Sequence, residues 1–151
     1  MPRPEIEKLV HTPPLFSDFK PAGAASRRLE RVELSIDEYE ALRLADFMGL
    51  SHEAAAEEME TSRSTFSRLI EKARKKLTDF IINGKMLTID GGNIHFRRNL
   101  IQCSSCGYLF KTKISEHFEE CPECASNDLV NLAGGFGHGK CCVERNYMKG
   151  E

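Results

Sequence analysis

Four cysteines stand as two C-x2-C pairs, Cys103-Ser104-Ser105-Cys106 and Cys121-Pro122-Glu123-Cys124, with 14 residues between them. No other feature of the chain limits its fold as tightly. Two cysteines three positions apart fit one tight turn with both sulfurs on the same side. Two such turns brought face to face make a closed tetrahedral set of four thiolates. Soft sulfur donors select zinc or iron over the hard cations. The spacing therefore predicts one metal ion per chain on Cys103, Cys106, Cys121 and Cys124, zinc first and iron as the alternative. All six cysteines fall in the last third of the 151 residues, a clustering that in a reducing compartment indicates metal binding before disulfides. A unit of roughly fifty residues has little core, so the metal would supply much of its folding energy.

The remaining cysteines, Cys141 and Cys142, follow the run Ala133-Gly134-Gly135-Phe136-Gly137-His138-Gly139. So many glycines predict a flexible tail over 133–151 that carries spare thiols. The alternative is a second metal or redox site on His138, Cys141 and Cys142, although three ligands fall short of a closed tetrahedron. His11, His52 and His95 are scattered and read as surface or packing histidines. His117 lies between the two knuckles, where four thiols already complete a set.

Upstream of the cysteines the periodicity is helical. Ser35-Ile36-Asp37-Glu38 has capping-box spacing, and Leu42, Ala45 and Met48 recur at helical intervals up to Gly49. Ser51 can cap a short helix from Glu53 to Met59. After a turn at Glu60-Thr61, Ser62 can cap a third helix to about Phe80, with Phe66, Leu69, Ile70, Ala73, Leu77 and Phe80 on one face. The net charge of the whole chain is only −2, so any attraction to nucleic acid must come from local clustering. The third helix supplies it: Arg63, Arg68, Lys72, Arg74, Lys75 and Lys76 enclose a single acid, Glu71, over residues 63–76, while the second helix carries Glu53, Glu57 and Glu58. Helix, tight turn and basic helix are the parts of a helix-turn-helix, whose last helix enters the major groove. On that reading Arg63, Ser64, Ser67 and Arg68 face base edges. Lys72, Arg74 and Lys75 meet phosphates, and the amides capped by Ser62 can hold one more.

Leu87, Ile89, Ile94 and Phe96 alternate with polar neighbours around Asp90-Gly91-Gly92-Asn93, which predicts a β-hairpin over 85–98 that covers the helical core. Arg97 and Arg98 at its end offer a DNA-binding wing as the alternative. The prolines and glycine of residues 1–30 predict an extended or irregular segment. The expected organisation is an extended segment at 1–30, a mainly α helix-turn-helix domain with a β-hairpin at 31–98, a small metal-stabilised β-rich zinc-ribbon-like domain at 99–132, and the tail at 133–151.

The run from Leu34 through Asp46, Gly49-Leu50, Ala54-Ala55-Ala56, Ser62-Arg63-Ser64-Thr65-Phe66 and Ala73-Arg74-Lys75-Lys76 resembles a prokaryotic family catalogued as a domain of unknown function, family number 134. The opening Met1-Pro2-Arg3-Pro4, the stretch Phe19-Lys20-Pro21-Ala22-Gly23 and Ile89-Asp90-Gly91-Gly92 match as well. The resemblance covers about residues 1–95. That family looks like region 4 of sigma factors, which implies a DNA-binding fold without an established target. The two knuckles resemble those of zinc ribbons and rubredoxin-type modules, the latter implying one iron and electron transfer.

The function expected is thus a DNA-binding transcription regulator with a four-cysteine metal site. The alternative is a redox or metal-carrying module with a rubredoxin-like iron site, its helical domain used for protein docking. No serine–histidine–carboxylate set and no phosphate-binding glycine loop stands in a recognisable motif, so no enzyme is expected. The partners expected are double-stranded DNA, with RNA polymerase and a second copy of the chain as further candidates, and no membrane. With no apolar signal core or spanning segment in the sequence, a cytoplasmic location is expected.

Overall fold

The computed structural model describes residues 7–148, so the Met1-Pro2-Arg3-Pro4 opening and the last three residues lie outside the described residues. The chain divides into two compact units, whose described parts are residues 7–9 with 14–94, and residues 10–13 with 95–148.

In the first unit three serines start three helices. α1 (Ile36–Leu42) is capped by Ser35 in a full capping box with Glu38, α2 (His52–Glu58) by Ser51, and α3 (Arg63–Ile82) by Ser62. Each serine has extended backbone and accepts a bond from an amide three residues on, which satisfies a donor that the helix itself leaves unpaired. A π-helical turn, Arg43–Phe47, prolongs α1. Between α2 and α3 the Glu60 amide donates to Glu57 and the Thr61 amide to Ala56, with Glu60 at φ 54. These two bonds are those of a Schellman motif. Ala41, Leu44, Ala55, Ala56, Met59, Phe66 and Ile70 form the helical core, and the small Ala55 and Ala56 let α2 approach α3 closely.

The expectation of a mainly α N-terminal domain with a hairpin is overturned, because the first unit is a mixed α/β structure. β1 (Lys8–Val10) opens the described chain, and β2 (Asp18–Phe19), β3 (Arg31–Leu34) and β4 (Met86–Ile89) make a sheet of order β2-β4-β3. β4 is antiparallel to β2 and parallel to β3, with Arg31 opposite Met86 and Leu34 opposite Ile89. A parallel pair requires a crossover, and α1, α2 and α3 supply it. As the central strand, β4 buries Met86, Leu87 and Ile89 on both faces.

The segment after β4 does not reverse into a hairpin. The Ile36 amide donates to Gly91 and the Asp90 amide to Leu34. A Cβ on Gly92 would lie 2.7 Å from Asp37 Oδ1. The Asp90–Asn93 stretch is thus held against the start of α1, and β5 (Ile94–Phe96) pairs with β1 instead of β4. The wing built on that hairpin has no counterpart. Residues 1–30 are also less irregular than expected where described, since β1 and β2 fall within them.

The second unit is built on β6 (Arg98–Cys103), flanked antiparallel by β7 (Leu109–Lys113) and β8 (Leu129–Asn131). β6 alternates half-buried and buried residues and ends at Cys103, so the sheet delivers the first knuckle from its central strand. Two helices follow where the glycines predicted a flexible tail, α4 (Leu132–Gly135) and α5 (Lys140–Met148). Among the described residues no helix is long and apolar enough to cross a membrane.

Candidate functional site

The knuckles are near copies of one another. The Cys103 amide donates to Tyr108 O and the Gly107 amide returns to Cys103 O. In the second knuckle Cys121 N–H donates to Ser126 O and Ala125 N–H to Cys121 O. The residue after the second cysteine is left-handed in both, Gly107 at φ 78 and Ala125 at φ 61. A glycine takes that conformation freely, and the alanine does so against its Cβ. Ser105 and Ser126 join the two turns through their hydroxyls at 2.8 Å.

The turns bring Cys103, Cys106, Cys121 and Cys124 together with their sulfurs within 4.8 Å of one another. Cys103 Sγ lies 3.6 Å from Cys124 Sγ, and Cys106 Sγ 3.7 Å from Cys121 Sγ. A tetrahedral ion with metal–sulfur bonds of about 2.3 Å has sulfur–sulfur edges of about 3.8 Å, so the four donors fit one ion. Crowding spreads their acidities. The Cys106 amide, opposed by burial, holds the Cys103 thiol down at about 6. The Ser126 amide also pulls on Cys124, but burial and the three neighbouring sulfurs push that thiol up to about 12. A dication held by Cys103, Cys106, Cys121 and Cys124 would supply the charge that lets all four thiols ionise together.

The C-terminal cysteines are also brought together, and with a partner that the sequence did not single out. His95, His138, Cys141 and Cys142 place their ligand atoms within 4.8 Å of one another. His95 stands on β5, far from the others in sequence, and no local spacing announces it. Burial pushes the Cys142 thiol up to about 11, despite the Phe96 amide that donates to its sulfur at 3.2 Å.

The basic residues of α3 fall on two lines. At about 100° per residue, Phe66, Ile70 and Ala73 define the buried side, and Ser64, Arg68, Lys72 and Lys75 the side opposite, all four exposed. Ser62 and Arg63 are exposed at the helix start. The Ser62 hydroxyl donates to Thr65 Oγ1 at 2.8 Å while accepting from the Thr65 amide. Ser67 and Arg74 share one edge of the helix, where Ser67 meets His52 of α2 and Arg74 meets Asp46 of the π-helical turn. Ser67 Oγ is 2.9 Å from His52 Nδ1, and Arg74 makes a two-pronged pair with Asp46 at 2.7 and 3.0 Å. Lys76 turns inward to Glu38 at 2.7 Å.

Residues 1–97 match a family described as "Protein of unknown function DUF134". A "UPF0251 protein" of Chloroherpeton thalassium is 44% identical over 93% of this chain and 95% of its own length. One from Moorella thermoacetica is 38% identical over 100% of this chain and 99% of its length. One from Methanococcus vannielii is 46% identical over 64% of this chain and 74% of its own. No solved structure matches the chain. With its N-terminal 97 residues matched by the family and near full-length relatives at this identity, the chain belongs to the DUF134 family, whose members carry the name UPF0251 protein.

Proposed function

We propose that the chain is a DNA-binding transcription regulator in which α2 and α3 act as a helix-turn-helix and Cys103, Cys106, Cys121 and Cys124 hold one structural zinc ion. The observation that carries this reading is the outward line of Ser64, Arg68, Lys72 and Lys75 on α3, on the side opposite Phe66, Ile70 and Ala73. A helix that buries one side and offers arginine, serine and lysine on the other can enter a major groove without unpacking its core. In this reading Arg68 bonds guanine O6 and N7, while Lys72 and Lys75 meet phosphates. Arg63, Ser64 and the capped amides behind Ser62 sit at the helix start, where a phosphate is favoured. Ser67 is shared with His52, and Arg74 is available to DNA only when it leaves Asp46.

The four cysteines form a closed set with no open position, which suits a structural ion, and zinc is the ordinary occupant of such a site. The test is selection of bound fragments from genomic DNA by the full chain, followed by titration of a selected duplex over a range of salt. A steep fall of affinity with salt and loss of sequence choice in Arg68→Ala are expected. Failure to enrich any DNA would reject the reading.

A second reading, a metal-carrying module whose first unit docks protein, draws on one observation. Phe19, Leu34, Tyr39, Leu42, Leu77 and Phe80 line an open apolar groove of about 650 Å³, and Phe47 at its side is 86% exposed. RNA polymerase or a second copy of the chain would fit an apolar surface of this kind. A coloured, reversibly reducible iron form of the purified protein would favour this reading over zinc.

A further inference from the structure

We infer that His95, His138, Cys141 and Cys142 form a second metal centre, a two-histidine, two-thiolate site for one borderline-soft dication of the zinc class. It is separate from the knuckle site in its ligands and does not rest on DNA binding.

The distances are those of a coordination shell. His138 Nδ1 lies 3.4 Å from Cys141 Sγ and 3.5 Å from Cys142 Sγ. Cys142 Sγ lies 3.7 Å from His95 Nδ1 and 3.9 Å from Cys141 Sγ. For metal–sulfur bonds of about 2.3 Å and metal–nitrogen bonds of about 2.0–2.1 Å, tetrahedral geometry gives sulfur–nitrogen edges of about 3.6 Å and sulfur–sulfur edges of about 3.8 Å. Four lone-pair donors thus converge with the spacing one ion requires. Two thiolates with two imidazoles suit zinc better than any hard cation. The Phe96 amide adds a hydrogen bond to Cys142 Sγ, the kind of outer contact that orients a ligand.

The fold spends several specific features on delivering these groups. Asn131 caps α4 by accepting from the Gly134 amide, and buried Asn99 on β6 donates to Asn131 Oδ1 and accepts from the Ala133 amide. α4 then ends in a Schellman motif. The His138 amide donates to Ala133 and the Gly137 amide to Gly134, with Gly137 at φ 78. That motif sets His138 at its exit, in a T-shaped contact with Phe96 at a ring separation of 5.1 Å. Cys141 and Cys142 follow in the first turn of α5, and both sulfurs come within reach of His138 Nδ1, at 3.4 and 3.5 Å. β5 then supplies His95 as the fourth ligand, which the local run His138-Cys141-Cys142 lacks.

The experiment uses the full-length chain, stripped by chelator under reducing conditions and reloaded with Zn2+, with bound metal counted by elemental analysis after desalting. Two zinc ions per chain are expected, falling to one in His95→Ala and in Cys142→Ser. A single ion in the unaltered chain, or two ions retained by both variants, would overturn the proposal. Since a ligand variant can misfold, Co2+ loading of the unaltered chain provides an independent readout. Two equivalents should give tetrahedral spectra, one with about half the sulfur-to-cobalt charge-transfer intensity of the other, because two thiolates replace four. A second equivalent without that band would equally refute the site.

Discussion

Arg74 and Asp46 offer a direct test of the DNA contact proposed for α3. The two side chains are 50% and 41% exposed. A pair so open contributes at most about 0.2–1 kcal/mol to stability, and the lower half of that range is expected after solvent screening. The Arg74 guanidinium holds the Asp46 carboxyl below its usual value, so the pair is fully formed at neutral pH. The stability it adds is lost only as pH falls through the depressed value of Asp46. Asp46→Asn should therefore scarcely change the unfolding midpoint, yet it frees one cation beside the exposed line of α3. One more neutralised phosphate steepens the dependence of log affinity on log salt by about 0.9. Between 50 and 200 mM salt that slope is an extra loss of about three- to fourfold, offset by tighter binding at the low end. Fluorescence anisotropy on a labelled duplex at several salt concentrations measures the slope. The double variant Asp46→Asn/Arg74→Gln should return to the original slope. An unchanged slope in Asp46→Asn, or a steep one that survives in the double variant, would refute the proposed role of Arg74.

Arg68→Ala should cost about 1–3 kcal/mol on a preferred duplex and flatten the ranking among sequences, whereas Lys75→Ala should weaken all sequences alike; identical competition profiles for the two variants would contradict the division of roles. Cys106→Ser should lose the knuckle ion, because a hydroxyl replaces a thiolate poorly, and should abolish hydrogen-exchange protection in β6–β8 while α1–α3 keep theirs. Protection retained in β6–β8 would show that the sheet folds without that ion. Ala125→Gly should raise the stability of the second unit by about 0.5–1 kcal/mol, since it removes a Cβ from a left-handed residue at some cost in chain entropy. A lower unfolding midpoint would mean that the alanine methyl is needed there.

The sequence alone was enough for whatever depends on neighbours within about four residues. Ser35, Ser51 and Ser62 start the three helices because a hydroxyl next to unpaired amides is a local matter. The knuckles were legible for the same reason, since C-x2-C is one turn and the sheet needs only to bring two turns together. Tertiary structure decided the rest. Leu87 and Ile89 alternate as a hairpin strand would, but β4 found its parallel partner in β3, more than fifty residues earlier, and no local pattern records a crossover of three helices. The glycines of 133–139 read as disorder, because glycine permits both a floppy chain and a left-handed helix end. Buried Asn99 and the Schellman bonds of Gly137 and His138 selected the second. In the sequence His95 stands as an isolated histidine. It joins Cys142 only because β5 runs beside the start of α5, a proximity set by packing of the second unit and absent from any sequence interval.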